Sequence, residues 1–138
     1  MATPLGLRLN NPGNLRPLAH GQDWVGQTGT QEGFCVFDTA EHGLRALAKD
    51  LLNQQRLHRL GTVRAIITKY APPGDDNDTA AYIAAVAQQL GVDPDEVIDL
   101  EDAGVLEGFV NAVVQHEEGQ DPYDATLVAA AAMDALAA

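Results

Sequence analysis

Ala103-Gly104-Val105-Leu106-Glu107-Gly108-Phe109-Val110-Asn111-Ala112-Val113-Val114-Gln115-His116-Glu117-Glu118 is the stretch whose periodicity decides the fold class. At about 100° per residue, Phe109 lies about 60° to one side of Leu106, and Val113 about 20° to that side. Val110 lies about 40° and Val114 about 80° to the other side. These positions form one apolar stripe, the mark of an amphipathic helix with one face in a core. Glu117 falls about 20° from Leu106, in the middle of the stripe, whereas Glu118 falls near 120°, at its edge. One carboxylate therefore continues the core-facing row. The last turn of a helix carries partial negative charge, which disfavours an anion there. Burial and the helix end together favour a protonated Glu117, the condition for a general acid at neutral pH. The plain alternative is a frayed helix end whose acids point to water.

Working outward, further helical patterns surround this one. Asp38 with Glu41 three residues on predicts a helix start, and Leu44, Leu47, Ala48, Leu51 and Leu52 follow at helical spacing. That phase leaves Arg45, Lys49 and Asp50 outside. Thr62 is placed to cap a short helix carrying Val63, Ile66, Ile67 and Tyr70. Pro72-Pro73-Gly74-Asp75-Asp76-Asn77-Asp78 reads as a loop. Thr79 opens a helix bearing Tyr82, Ile83, Val86 and Leu90, which Gly91 closes. Asp93-Pro94-Asp95-Glu96 predicts another start leading into Val97, Ile98 and Leu100. After Gly119, Asp121-Pro122 caps a last, alanine-rich helix. Towards the N-terminus, Asn10-Asn11-Pro12-Gly13-Asn14 is a dense turn signal. Trp24-Val25-Gly26 and Phe34-Cys35-Val36-Phe37 read as extended pieces separated by the polar stretch 27–33, consistent with a small hairpin. With no repeat and no long linker, the expectation is one mainly α domain over residues 1–138 with a small β-hairpin.

Composition narrows the function. The 138 residues suit a single core, and 46% of them are apolar. Twenty acidic against eight basic residues give a net charge of −12. That sign argues against nucleic acid as partner and against attraction to an anionic membrane or wall polymer. A ligand must then be held by local hydrogen bonds and stacking. Cys35, the sole cysteine, allows no intrachain disulfide and reads as a buried small hydrophobe. The N-terminal residues lack a basic region and a long apolar run, so no secretory signal is read, and no stretch approaches a membrane span. His20, His42, His58 and His116 show no ligand spacing. The acids Asp75, Asp76 and Asp78, and those from Asp93 to Asp102, fail the EF-hand pattern, so neither metal nor cofactor is expected.

Gln115-His116-Glu117-Glu118-Gly119 resembles the Glu-x-Gly signature of lysozyme-like muramidases, glucosaminidases and lytic transglycosylases. A second match lies in Asn10-Asn11-Pro12-Gly13-Asn14-Leu15-Arg16, followed by Trp24-x-Gly26, Phe34-x-Val36-Phe37-Asp38-Thr39 and Gly43. It is similar to the glucosaminidase run of Asn-Asn, Gly turn, Trp-x-Gly and aromatic hairpin. Lys69-Tyr70-Ala71-Pro72-Pro73 with Asn77-x-Thr79-x-x-Tyr82 is similar to the cleft-lining Tyr-Ala…Tyr segment of those enzymes. The resemblance covers residues 8–123 and extends to phage-encoded, virion-associated peptidoglycan-degrading proteins. In the lysozyme-like order the Glu helix precedes the Asn-Asn segment; here it comes last, which implies a circularly permuted chain.

The resemblance implies a lysozyme-like fold and cleavage of peptidoglycan glycan strands, with Glu117 as general acid and base. Glycosidic cleavage needs a proton for the leaving oxygen and stabilisation of the anomeric centre. No second carboxylate is evident; Glu32 and Glu41 are next in line. This absence favours the intramolecular route of a lytic transglycosylase over a muramidase. Asn11, Asn14 and Arg16 are assigned to the acetamido and lactyl groups, although the Asn residues also suit plain turn chemistry. Trp24 is either a stacking wall or a core anchor. Tyr70 packs its ring and extends its hydroxyl to the cleft, with Tyr82 from the same resembling segment. Asn77 and Thr79 order the loop first and touch substrate second, and His116 flanks the cleft. The expected partners are glycan strands and other virion proteins, and the expected state is a monomer. The protein would be made in the cytoplasm and delivered to the periplasm or wall by a virion, a holin or secretion machinery. Two other readings stand beside this one: a non-catalytic virion or wall-binding module, and a secreted antibacterial muramidase.

Overall fold

The computed structural model describes residues 3–74 and 77–138. The 103–118 periodicity produces the helix it predicts. This helix, Ala103–Glu118, starts where Asp102 Oδ1 accepts from the Val105 N–H. It ends at Gly119, whose φ of 74° lies in the left-handed region that glycine enters without penalty. In chain order the helices are α1 (Leu5–Arg8), α2 (Ala40–Arg56), α3 (Val63–Tyr70), α4 (Thr79–Leu90), α5 (Ala103–Glu118) and α6 (Ala125–Ala137). The one-turn α1 lies in a segment that reads only as Gly-, Asn- and Pro-rich.

The core is a helical layer in which α2 packs against α6 and α5, and α5 packs against α4. Leu44, Leu47 and Leu51 of α2 meet Leu106, Phe109 and Val113 of α5 and the alanine face of α6, Ala131, Ala132 and Ala135. All of these are buried. Each fully buried Leu or Phe contributes about 1.5–3 kcal/mol, so this layer dominates stability. The small residues of α6 let its backbone approach α2 closely.

Two helix starts differ from expectation, by one and by three residues. Thr39, not Asp38, caps α2 by accepting from the His42 N–H; Asp38 sits one position too early and pairs with His42 Nδ1 at 2.6 Å. α4 opens at Thr79 as expected, capped by Asp78, which accepts from the Ala81 N–H, while Thr79 turns inward to donate to the Ala71 carbonyl at 2.7 Å. The last helix begins after Asp124, beyond Asp121-Pro122. The helix expected from Asp93 is absent. Side chains there satisfy the backbone locally, with Asp93 accepting from the Asp95 N–H and Asp99 from the Glu101 N–H. Val97 instead bridges Thr62 in extended form, and the Ile98 N–H donates to the Gly61 carbonyl at 2.9 Å.

The hairpin exists, but its first strand is displaced. β1 (Gln27–Gln31) pairs antiparallel with β2 (Phe34–Phe37) around a turn in which Glu32 and Gly33 both have positive φ. Trp24–Gly26 precedes β1. The strand was hidden because β1 is an exposed edge with no apolar alternation, while β2 alone buries Cys35 and Phe37. These two join Leu15 and Ala46 in a second small core, against which Trp24 and Tyr70 pack. The Asn10–Asn14 turn lies against the start of α2 so closely that a Cβ on Gly43 would collide with the Asn10 carbonyl.

Candidate functional site

A cleft of about 890 Å³ opens between the N-terminal turn, the hairpin, α2, α3 and the end of α5. Its wall includes Asn14, Arg16, Trp24, Phe34, Asp50, Gln54, Lys69, Tyr70, Asn77 and Glu117. Glu117 reaches it because the middle of the α5 stripe, covered by α2 and α6 along most of the helix, is uncovered at the last turn. The carboxylate is held there from the far end of the chain: Asn14 Nδ2 donates to Glu117 Oε1 at 2.9 Å. Asn14 presents its amide from a backbone at φ 52°, a left-handed position that Asn tolerates.

Glu117 is half-buried and Glu118 is the buried acid, only 6% exposed. This corrects the helical-phase expectation, which put Glu118 at the edge of the stripe. The N-terminal segment covers that edge: a Cβ on Gly6 would strike the Glu118 carboxylate and the Asn14 amide. Burial, and then the Glu117 charge, push Glu118 up to about 7, while the Leu7 N–H and the Asn14 amide act in the opposite direction. The last turn of α5 therefore carries two neighbouring acids, one facing the cleft and one sealed beneath α1.

Two tyrosines complete this end. The Tyr70 hydroxyl donates to the Gly13 carbonyl. Burial, followed by the charges of Glu117, Asp50 and Glu118, raises its pKa well above the ordinary range. Tyr70 thus lies within electrostatic reach of all three acids. Tyr82 is buried, and its ring stacks on His116 with centroids 3.8 Å apart. Its hydroxyl makes no well-formed hydrogen bond, and burial together with Tyr70 and Glu117 raises its pKa.

The remaining expected residues divide. Arg16 lies on the rim with its guanidinium 4.6 Å from the Phe34 ring centre, and Asn77 donates to the Pro72 carbonyl beside the cleft. Trp24 is both wall and anchor, half-buried against the small core, with its Nε1 buried and unpartnered. Asn11 is not available to a ligand. It is fully buried, donating to the Leu15 and Cys35 carbonyls at 2.9 and 3.0 Å and accepting from the Leu15 N–H at 2.9 Å. Thr79 is likewise buried and committed to Ala71. Glu32 stands exposed at the hairpin tip and Glu41 in the first turn of α2, and neither lines the cleft.

Asp50 was missed. The leucine stripe leaves it outside α2, yet α3 and the 70–74 segment rise across that side and make it cleft wall. Burial pushes its carboxyl up to about 6 against the pull of Lys69 and the Gln54 amide. Cys35 is buried, and burial raises its thiol pKa. Among the described residues no three His, Cys, Asp or Glu side chains converge as a metal site, and no helix is long and apolar enough to cross a membrane. Asp75 and Asp76 of the acidic run lie outside the described residues.

Over 121 residues the chain is 31% identical to Protein P5 of Pseudoalteromonas phage PM2, an alignment spanning 86% of this chain and 73% of the phage protein. The chain belongs to the Protein P5 family. No family model matches it. The alignment therefore takes in most of the domain just described.

Proposed function

We propose that the protein cleaves the glycan strands of peptidoglycan, with Glu117 as general acid and base. The observation that carries this reading is a carboxylate at the end of α5, held by Asn14 and facing a polar cleft. The resemblance of the Glu117-x-Gly119 and Asn10–Arg16 segments to lysozyme-like enzymes supports it. So does membership of a family that includes a phage protein. Under this reading the fold is a circularly permuted lysozyme-like domain, and it is delivered to the wall with a virion.

In the chemistry proposed, Glu117 donates its proton to the glycosidic oxygen as the bond to the anomeric carbon breaks. In the transglycosylase form, the sugar's own C6 hydroxyl then bonds to that carbon and returns its proton to Glu117, leaving a 1,6-anhydro end. In the muramidase form, water takes the place of that hydroxyl. We favour the first form, because Glu117 can serve both steps without a second group to activate water. Asn14 orients the carboxylate, and Trp24 and the Arg16–Phe34 pair form the wall that a sugar ring would lie against.

Mass spectrometry of fragments released from purified peptidoglycan tests this. Anhydro-ended muropeptides are expected. Reducing ends would move the assignment to a muramidase. Release of no glycan fragments would refute the enzymatic reading and leave a wall-binding or virion structural module.

A further inference from the structure

The Asp50 end of the cleft is unexplained by glycan cleavage at Glu117. Asp50 and Gln54 are one turn apart on α2, and Lys69 enters from the last turn of α3; all three line the same cleft as Glu117. Three ion pairs lie elsewhere on the surface: Arg56 with Glu101 at 2.6 Å, Arg64 with Asp95 at 2.7 Å and Asp38 with His42 at 2.6 Å. Among the described residues Asp50 and Lys69 have no such partner, not even each other within 4 Å. Asp50 caps no helix, since it lies in the middle of α2. A carboxylate withdrawn from water without a full counter-charge is costly to keep, and nothing in the packing needs it. Its burial is felt in its titration, which is pushed up to about 6.

We propose that Asp50 and Lys69 form a subsite for the peptide portion of the wall polymer. A free ammonium of the peptide would seat against Asp50, and its carboxylate would face Lys69. The proposal rests on the peptidoglycan reading. Neutral sugar hydroxyls and acetamido groups offer no charge to match two opposite charges on one cleft wall, whereas an amino-acid zwitterion matches both. The Gln54 amide, 7% exposed and with its Oε1 unpartnered, hydrogen-bonds the Asp50 carboxylate from one turn along α2. The protein's net charge of −12 further favours an ammonium over an anion at this end. The subsite would align a peptide-bearing strand so that its glycosidic bond meets Glu117.

Calorimetric titration of the intact protein tests the subsite with three probes. They are a muropeptide disaccharide carrying a diamino-acid peptide with a free ammonium, the same compound with that ammonium acetylated, and the disaccharide without peptide. The free-ammonium probe is expected to bind about tenfold more tightly than either other probe. Asp50→Asn, a near-isosteric change, should erase that preference. Equal binding of the free and acetylated probes overturns the proposal and assigns this end to sugar; because that comparison uses the unaltered protein, it does not depend on how well a variant folds. Persistence of the preference in Asp50→Asn overturns it as well. Failure of the cleavage reading is seen separately, as no fragment release from purified wall.

Discussion

The layer formed by α2, α5 and α6 and the cleft at the far end of α5 share a helix but are built on opposite terms. In the layer, buried side chains are almost all apolar, from Leu44 and Leu47 to Phe109 and Ala135. At the cleft end, Asn11, Gln54 and Glu118 are buried, and the Tyr82 hydroxyl, Gln54 Oε1, Glu118 Oε2 and Trp24 Nε1 are sealed without partners. Unsatisfied buried polar groups cost about 1–3 kcal/mol each, so they are not scattered at random through stable proteins. With Asp121 Oδ1 just beyond α5, they gather at this end of the fold, the pattern expected where stability is given up for a site. The layer supports, and the cleft end spends.

The contrast can be broken most severely at the seam between the two regions. Gly43→Val should drive side-chain atoms into the Asn10 carbonyl and unseat the N-terminal turn. A loss of about 4 kcal/mol or more in urea unfolding is expected, with the cleft disordered first. Leu106→Ala, wholly inside the layer, should lower stability by about 2–5 kcal/mol while leaving the Asn14–Glu117 contact in place. Asn11→Ala removes three hydrogen bonds from a buried turn and should cost about 2–4 kcal/mol by the same measurement.

A subtler break uses pH. In the fold Glu118 titrates at about 7, raised from 4.5, mainly by burial. The folded state keeps a proton that the unfolded chain has already lost. The Glu118 contribution to stability is therefore fully present below about pH 4.5 and is lost as pH rises through 7, by about 3 kcal/mol in total. Asp50, raised to about 6 by burial, acts in the same direction. Urea midpoints measured from pH 4.5 to 8 should show the decline, and Glu118→Gln should flatten most of it. An unchanged slope in that variant would place the titration elsewhere. The smallest effect is expected from Arg64→Met, which removes an exposed pair with Asp95 and should leave the urea midpoint at the parental value.

The same division explains what could be read from residues alone. The layer was legible: periodicity located α5 to the residue, and Thr62 and Gly91 marked one end each of α3 and α4. Local chemistry misled where side chains competed with the helix, as at Asp93–Asp99, and where an edge strand carried no apolar pattern, as at Gln27–Gln31. At the cleft the limit was of another kind. A helical wheel ranks Glu117 above Glu118 and sets Asp50 outside, but it cannot see that α1 covers one side of α5 or that α3 rises over one side of α2. Exposure at those positions is decided by segments far away in the chain; Asn14 and Glu117 are 103 residues apart. Asn11 shows the converse, a residue type suited to ligand binding that tertiary packing has consumed.

The account depends on Glu117 being the group that acts in the cleft, and one variant addresses this directly. Glu117→Gln keeps the side chain's size and its ability to face Asn14 but removes the transferable proton. Release of soluble muropeptides from purified peptidoglycan should be measured for this variant and the parent protein, with the unfolding midpoint of each. The account predicts at least about a hundredfold loss of release with the midpoint nearly unchanged. Release at the parental rate from a folded Glu117→Gln protein would contradict it.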